Sequence, residues 1–450
     1  MFRLNQLQFT FASGFVFVTI CWSLGLAGGV MAQDEKPFGL AKREIWQNTR
    51  LIGTPETPPP YTVEKMYTNQ LWHAPMFIAP EPGGDQLFAL LHESNGKPAE
   101  LVAFRDDPLV EERRVLIELR GRLAYSFCFD PNYLDNGYIY LFTNLRTDKF
   151  DGGKGNRVSR FVVNRKPNLS IDLQDEHVII EWASRGHDGG GLAFGQDGML
   201  YISTGDGTSD SDKWLSGQTL DDLLGSVLRI DIAHTSEEKP YTVPQDNPFV
   251  DLPDARPELY AYGLRNPWRL TVDSVTGQVW VGNNGQDLWE TVHLIRPGEN
   301  YGWSVYEGSH PFYLNRKLGP HPLTLPTAEH PHSEARSITG GVVYHGAKWP
   351  DLRGHFIYGD YNTGKIWGIR HDGEKIVSQR EFADTALAIV GFATTRSGDL
   401  LVVDHGSGFY RIVPQPRVQR TLPFPTRLSE TGLLQAPRHM RCGRASSVIW

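Results

Sequence analysis

The sequence has few cysteines, no excess of positive charge and, beyond its first 32 residues, no long apolar run. Its 3 cysteines are too few for a disulfide framework. They also lack the C-x-x-C-H or zinc-type spacing of a covalent haem or structural zinc site. Lys and Arg total 44 against 52 Asp and Glu, a net charge of −8. This balance argues against a nucleic-acid partner, because phosphate binding requires a positive surface.

Small, turn-forming and aromatic residues are plentiful instead. The 450 residues include 46 Gly and 30 Pro, and 11% are aromatic. Such a composition is typical of short strands joined by tight turns, which indicates an all-β protein. A chain of this length often forms two or three domains, but closed β architectures commonly run longer as one domain.

The N-terminus has the pattern of a signal peptide. Arg3 precedes an apolar run over residues 9–30, and Ala32 ends a small-residue cleavage motif before the polar Gln33. We expect residues 1–32 to be removed and the mature protein to be periplasmic or secreted, with no membrane span left after cleavage. The alternative is an uncleaved anchor, since the apolar run is nearly long enough to cross a bilayer.

A hairpin motif recurs along most of the chain. Its clearest copy joins residues 192–194 to 199–203 through Gln196-Asp197-Gly198, and Asp-Gly between apolar runs is a strong hairpin signal. The other copies pair residues 76–79 with 86–90, 125–129 with 138–141, 268–272 with 278–281, 355–358 with 365–369, and 392–394 with 400–403.

Six hairpins about 60 residues apart are typical of a six-bladed β-propeller with four-stranded antiparallel blades. A β-sandwich or a single barrel is the alternative. We assign the propeller to residues 65–415, an N-terminal strap to 33–64, and a linker or truncated tail to 416–450. The longest insertions, about 204–260 and 300–340, are expected to form loops on one rim.

One candidate catalytic group lies just before a predicted strand. His187 and Asp188 are followed by Gly189–Gly191, and consecutive glycines let a ligand approach the backbone closely. A neutral His187 can act as a general base, assisted by Asp188. The alternative is that Asp188 caps a turn and His187 bonds to the backbone.

Oxygen donors are concentrated in two further segments. Asp206, Asp210 and Asp212 crowd one turn, and hard oxygen donors in a flexible loop suit Ca²⁺. An exposed turn with local Asx hydrogen bonds is the alternative. In the turn 283–287, backbone carbonyls can also bind a hard cation. Arg265, which precedes another strand, can pair with an anionic oxygen.

The order of these motifs resembles that of the glucose/sorbosone dehydrogenase family. The resemblance runs over residues 65–415 and rests on HDGGGLAFGQDGMLYISTGDG, YGLRNPWR, NNGQDLWETVHLIRPGENYGW and SITGGVVYHG, in that order. Members of the family are six-bladed propellers that oxidise sugars with pyrroloquinoline quinone (PQQ) and Ca²⁺. The same domain occurs in hedgehog-interacting-protein-like proteins.

The resemblance implies a role for each matching residue. His187 would be the base that takes the hydroxyl proton, and Arg265 and Asn266 would contact the quinone. The backbone carbonyls of Gly285 and Gln286 would hold the Ca²⁺ that belongs to the cofactor. A sugar substrate and an external electron acceptor such as a cytochrome are implied as well.

Several of the family's cofactor-binding residues are missing here. The expected Gln falls near Gly121 or Arg122, the expected Lys falls in residues 359–361, and the expected Arg pair falls in the apolar segment 386–390. The family's proline at the calcium turn is Gln286. PQQ is a tricarboxylate and needs cations, for which Arg185, Arg265 and Arg269 are the substitutes at hand.

Two hypotheses therefore follow from the sequence. The first is an extracytoplasmic PQQ- and calcium-dependent oxidoreductase that oxidises an aldose hydroxyl. The second is a carbohydrate- or protein-binding propeller that has lost PQQ.

Overall fold

The structure is a computed structural model that describes residues 58–145, 154–165, 168–184, 186–235, 239–416 and 427. The predicted signal peptide, most of the strap, nearly all of the tail and Arg185 lie outside the described residues. Among the described residues, no helix is long and apolar enough to cross a membrane.

The described strands form six antiparallel sheets of four strands, which we number as blades in chain order. After β1 (Tyr61–Met66), the first two blades contain β2 (Pro75–Pro80), β3 (Gln86–Leu91), β4 (Ala99–Arg105) and β5 (Arg114–Leu119), then β6 (Arg122–Phe129), β7 (Tyr138–Leu145), β8 (Lys154–Val162) and β9 (His177–Ala183). The third and fourth contain β10 (Gly189–Phe194), β11 (Leu200–Thr204), β12 (Ser226–Ile230) and β13 (Leu259–Tyr262), then β14 (Asn266–Val272), β15 (Val279–Asn284), β16 (Trp289–Ile295) and β19 (Ala328–Pro331).

The last two blades complete the ring. They contain β20 (Ile338–Val343), β21 (Phe356–Asp360), β22 (Lys365–His371) and β23 (Ile376–Asp384), then β24 (Ile389–Thr394), β25 (Leu400–Asp404), β26 (Gly408–Pro414) and the N-terminal β1. A small hairpin of β17 (Tyr306–Glu307) and β18 (His310–Pro311) lies within blade 4, and the helical elements are α1 (Tyr133–Asn136) and three 3₁₀ turns, Leu173–Asp175, Ser216–Gln218 and Pro350–Leu352.

Blade 6 joins the two ends of the propeller. β1 pairs antiparallel with β26, with Tyr61 opposite Pro414 and Met66 opposite Phe409. The propeller therefore begins within the segment that the sequence assigned to the strap. Local pattern could not place β1, because its partner lies at the other end of the propeller sequence. Ring closure leaves only short, protected sheet edges.

The first strand of every blade lies nearest the central axis. β2, β6, β10, β14, β20 and β24 contact one another in succession around the ring. Blades 4 and 5 approach so closely that a Cβ at Gly282 would collide with the backbone of Gly340, so glycine is required there. This approach brings the end of β15 next to the start of β20.

Apolar side chains fill the spaces between blades. Trp280 of blade 4 stacks on Phe356 of blade 5 with ring centroids 5.0 Å apart, and Phe77 of blade 1 meets Phe127 of blade 2 edge to face at 5.2 Å. Such contacts bury large area and fix the angle between adjacent sheets. The core is therefore a ring of inter-blade layers around the axis.

The structure confirms the all-β class and the six-bladed propeller. The predicted hairpins coincide with the first two strands of blades 1, 2, 3, 4 and 6. The prediction for blade 5 was wrong by one strand, since residues 355–358 and 365–369 belong to its second and third strands. Its first strand, β20, contains Gly340 and Gly341, which weaken the alternating apolar pattern.

Candidate functional site

The candidate residues gather at one end of the propeller because of hairpin geometry. His187 lies just before β10 and Asp206 just after β11, and Gly189 pairs with Thr204 where those strands meet. In an antiparallel hairpin, the start of one strand and the end of the next share an edge. In the same way, the start of β14 carries Arg265 to the edge at which β15 delivers Gly285.

His187 and Asp206 form a hydrogen-bonded pair. His187 Nδ1 lies 2.9 Å from Asp206 Oδ1, and the His187 side chain is 16% exposed while that of Asp206 is 0% exposed. Trp303 Nε1 donates to Asp206 Oδ2 at 2.8 Å, and the Thr208 backbone N–H donates to Asp206 Oδ1 at 2.9 Å. A carboxylate acceptor at Nδ1 holds the proton on that nitrogen, which leaves Nε2 as the basic atom.

Asp188 occupies a different environment from the one that the sequence interpretation gave it. Its carboxylate accepts from Tyr125 Oη at 2.7 Å, Asn156 Nδ2 at 3.0 Å, Asn144 Nδ2 at 3.1 Å and the Ser184 hydroxyl. Burial raises the pKa of Asp188. Its contacts connect blades 2 and 3, and the carboxylate that accepts from His187 belongs to Asp206.

Arg265 is engaged by neighbouring side chains. Its Nε donates to Gln286 Oε1 at 3.1 Å, and its guanidinium lies 5.6 Å from the ring centroid of Trp303. Gln286 Oε1 also accepts from the Ser211 N–H at 2.9 Å, and its amide donates to Asp210. Gln286, which stands where the family has proline, therefore ties Arg265 to the 210–211 turn.

The turn expected to hold calcium is fixed by the buried carboxylate of Glu307. Glu307 accepts from the backbone N–H groups of Gln286, Asp287 at 2.6 Å and Leu288 at 3.1 Å. A Cβ at Gly285 would collide with the carbonyl oxygen of Trp289. These contacts hold the turn in one conformation.

The three aspartates proposed for a second calcium site have separate partners. Asp206 binds His187, Asp212 accepts from Ser304 Oγ at 2.6 Å, and Asp210 contacts Ser211 and Gln286. Within the described ranges, no group of three or more His, Cys, Asp or Glu side chains is arranged to hold a metal ion. The structure gives no support to that second site.

A cavity of about 300 Å³ opens on the propeller axis beside the His187–Asp206 pair, and we call it the axial pocket. Its walls come from the inner ends of several blades and contain no Lys, Arg, Asp or Glu. The lining residues are Met76, His92, Asn266, Trp268, Asn284, Ser337, Thr339, Tyr361, Val390 and His405. Burial lowers the pKa of His405, so this imidazole is neutral at pH 7.

The axial pocket contains the segments where the resemblance implied a lysine and an arginine pair. Tyr361 and Val390 line the pocket there. Asp360, next to Tyr361, is fully buried and accepts from backbone N–H groups, among them those of Arg336 and Thr363 at 2.7 Å. It acts as a structural cap on the turn.

The sequence analysis missed His92 and His405 because neither has ligand-type spacing. A positional signal was present, however. His92, Gly285, Tyr361 and His405 each come directly after the second strand of a blade. Equivalent positions in a propeller meet at one end of the axis, so aligning the repeats would have placed these residues together.

The fold and the site define a six-bladed β-propeller with a hydrogen-bonded His–Asp pair and an axial pocket whose wall contains no Lys, Arg, Asp or Glu. The chain belongs to the glucose/sorbosone dehydrogenase family, whose sequence model, described as "Glucose / Sorbosone dehydrogenase", matches residues 102–412.

Curated relatives include hedgehog-interacting-protein-like proteins. HIPL1 protein of Arabidopsis thaliana is 34% identical over 298 residues, which cover 54% of this chain and 43% of the relative. Hedgehog-interacting protein of Homo sapiens is 30% identical over 298 residues, which cover 62% of this chain and 40% of the relative. The chain thus spans less than half the length of these two relatives.

Among solved structures, the PQQ-bound form of aldose sugar dehydrogenase from Streptomyces coelicolor is similar, with a TM-score of 0.60. The sequence identity is 21%, and the match covers 80% of this chain and 100% of that one. At this level of identity, the likeness establishes the shared fold.

Proposed function

We propose that this protein is an extracytoplasmic oxidoreductase that oxidises a sugar hydroxyl with the help of PQQ and Ca²⁺. The observation that carries the proposal is the His187–Asp206 pair, with 2.9 Å between Nδ1 and Oδ1. Oxidation of an alcohol requires loss of the hydroxyl proton together with a hydride from carbon. His187 Nε2 supplies the base, and PQQ, when bound, supplies the hydride acceptor.

The surrounding residues hold His187 in position. Asp206 stabilises the imidazolium that forms when His187 takes the proton, and it holds the ring in one orientation. Trp303 in turn positions Asp206 through the 2.8 Å hydrogen bond from its indole nitrogen. Because Asp206 and Trp303 are buried, water cannot compete for these contacts.

The donor set fits the cofactor at the rim. Asn266 and Arg265 would contact the quinone, and the carbonyls of Gly285 and Gln286 would hold its Ca²⁺ on the turn that Glu307 fixes. The cofactor's carboxylates would depend on Arg265 and on Arg269, which lies beside the axial pocket, since the pocket walls contain no cation. An electron acceptor outside the protein, such as a cytochrome, would then regenerate the quinone.

A second candidate is a binding propeller that recognises a carbohydrate without redox chemistry. Its support is the absence of Lys, Arg, Asp and Glu from the wall of the axial pocket, together with the engagement of Arg265 by Gln286. Amide, hydroxyl and aromatic groups, such as Asn284, Ser337 and Trp268, are the usual partners of a sugar ring, because hydroxyls bond to the amides and apolar faces stack on the rings.

The deciding experiment is calorimetric titration of the calcium-stripped mature protein with PQQ, with and without added Ca²⁺. We expect calcium-dependent binding and dye-linked sugar oxidation, with oxidation lost in His187→Ala and PQQ binding retained. His234→Ala, at a histidine that is 80% exposed, is the matched control. A folded protein that binds no PQQ with Ca²⁺ present would overturn the oxidoreductase and favour the binding propeller.

A further inference from the structure

Arg269 crosses the central channel of the propeller. It belongs to β14 of blade 4 and is 3% exposed. Its Nε donates to the carbonyl of Val390 in blade 6 at 3.0 Å, and its Nη2 donates to the carbonyl of Met76 in blade 1 at 2.7 Å. The guanidinium is therefore held by main-chain oxygens of two other blades.

This buried cation has no counter-ion among the described residues. Its remaining contacts are a 3.5 Å hydrogen bond from Nη1 to the Trp268 carbonyl and approaches to the rings of Phe77 and Trp268. Burial lowers the pKa of Arg269 to about 9, so it remains charged at pH 7. Buried arginines are normally paired with an anion, because an uncompensated charge in the interior is costly.

Arg229 shows what a compensated buried arginine looks like in the same protein. It is 7% exposed, and it donates to Asp197 at 2.9 Å and to Asp246 at 2.7 Å. The contrast with Arg269 concerns charge alone, since both side chains are buried and both are hydrogen-bonded.

The uncompensated charge lies against the axial pocket. The residues whose carbonyls accept from Arg269 are Met76, Val390 and Trp268, and all three line that pocket. The titratable groups on the pocket wall are His92, His405 and Tyr361, and none of them is a carboxylate. A positive field from a buried charge therefore reaches the pocket without an acid on the wall to cancel it.

We propose that the axial pocket binds its ligand through a carboxylate that pairs with the charge of Arg269. This inference deepens the proposed function, because it names the chemical group by which that site selects its ligand. A pocket of about 300 Å³ is at the small end of ligand sites, so it suits one compact ring system. Two sources share this chemistry, namely a carboxylate of PQQ and the carboxylate of a sugar acid such as a hexuronate.

The test compares each acid with a neutral analogue. Wild-type protein is titrated calorimetrically with glucuronate and glucuronamide, and with PQQ and its trimethyl ester, in chelator so that calcium cannot mediate the effect. We expect at least one acid to bind about tenfold or more tightly than its neutral analogue. Equal affinities in both pairs, or no saturable binding of either acid by folded protein, would overturn the proposal.

Variants separate ligand binding from structural bracing. Arg269→Lys keeps the charge and should keep the preference for the acid, whereas Arg269→Met should remove it. Arg229→Met is the matched control for loss of a buried arginine, and its preference should match that of wild type. If Arg269→Met folds and still prefers the acid to its neutral analogue, Arg269 has only a structural role and the proposal is overturned. If this variant does not fold, the titrations of the wild-type protein still decide.

The outcomes also separate this proposal from the oxidoreductase. Preference for glucuronate without PQQ binding, with or without Ca²⁺, keeps the carboxylate site and removes the redox function. PQQ-dependent sugar oxidation with no preference for acids over neutral analogues supports the redox function and overturns the carboxylate site.

Discussion

Two regions of the propeller differ in where their charged groups lie. One is the rim, by which we mean His187, Asp206, Arg265 and Gln286, and the other is the axial pocket. At the rim, His187 and Asp206 form a hydrogen-bonded pair, and Arg265 is tied to Gln286. The pocket wall contains no Lys, Arg, Asp or Glu, and Arg269, which has no counter-ion among the described residues, is buried beside it. The proposed proton transfer and the proposed ligand recognition therefore depend on separate residues, so each can be tested by breaking one without the other.

The largest effect is expected from Asp206→Asn. The carboxylate accepts from His187 at Oδ1 and from Trp303 at Oδ2, whereas an amide has one oxygen for these two donors and no longer stabilises an imidazolium. We expect kcat/KM for sugar oxidation to fall by about 10³-fold, since general-base catalysis contributes roughly 10²–10⁴-fold. Ligand affinity in the axial pocket should change little, which calorimetry checks. A rate within a few-fold of wild type would contradict the role of this pair.

Asp188→Asn should show the opposite pattern. Asp188 accepts from several buried donors, including Tyr125 and Asn156, and an amide nitrogen would face some of them. We expect a loss of about 2–3 kcal/mol in the free energy of unfolding, because buried donors are left unsatisfied. The activity per folded molecule should stay within a few-fold, as measured at a temperature where the variant is folded. A rate loss as large as that of Asp206→Asn would return the assisting role to Asp188.

Gln286→Ala should have the smallest effect of the three variants. It should strengthen ligand binding, whereas the other two variants lose activity or stability. Removing the amide releases Arg265 from its 3.1 Å hydrogen bond and lets the guanidinium turn to an anionic ligand. We expect the affinity for PQQ to rise about fivefold, in line with the roughly 1 kcal/mol of one hydrogen bond. Gln379→Ala in the outer strand β23 is the control, and an unchanged or weaker affinity in Gln286→Ala would show that Gln286 does not restrain Arg265.

Much of the fold could be predicted because the hairpin is a local structure. Turns such as Gln196-Asp197-Gly198, between apolar runs, identify strands without knowledge of their surroundings. Strands were missed where the sequence pattern was weak or where the pairing strand was distant in sequence. Gly340 and Gly341 hid the first strand of blade 5, and β1 could not be recognised as a blade strand because its partner is β26.

The site was predictable in part. The motifs singled out His187, Arg265, Asn266 and the 285–286 turn, and the ends of neighbouring strands bring these residues to one end of the propeller in the structure. The hydrogen-bond partner of His187 was not predicted correctly, because adjacent residues on an extended chain point to opposite sides. Asp188 therefore turns toward blade 2, and the partner of His187 is supplied by Asp206.

The sequence by itself determined the class of fold, the number of blades and the family, because these depend on hairpins and motifs that are short in sequence. Only the tertiary structure decided which carboxylate holds His187, which histidines line the axial pocket and which arginine has no counter-ion in the described part of the chain. The physical reason is that ring closure brings the inner ends of all blades together on one axis. Charge, burial and hydrogen bonding there depend on residues from blades that are remote in sequence.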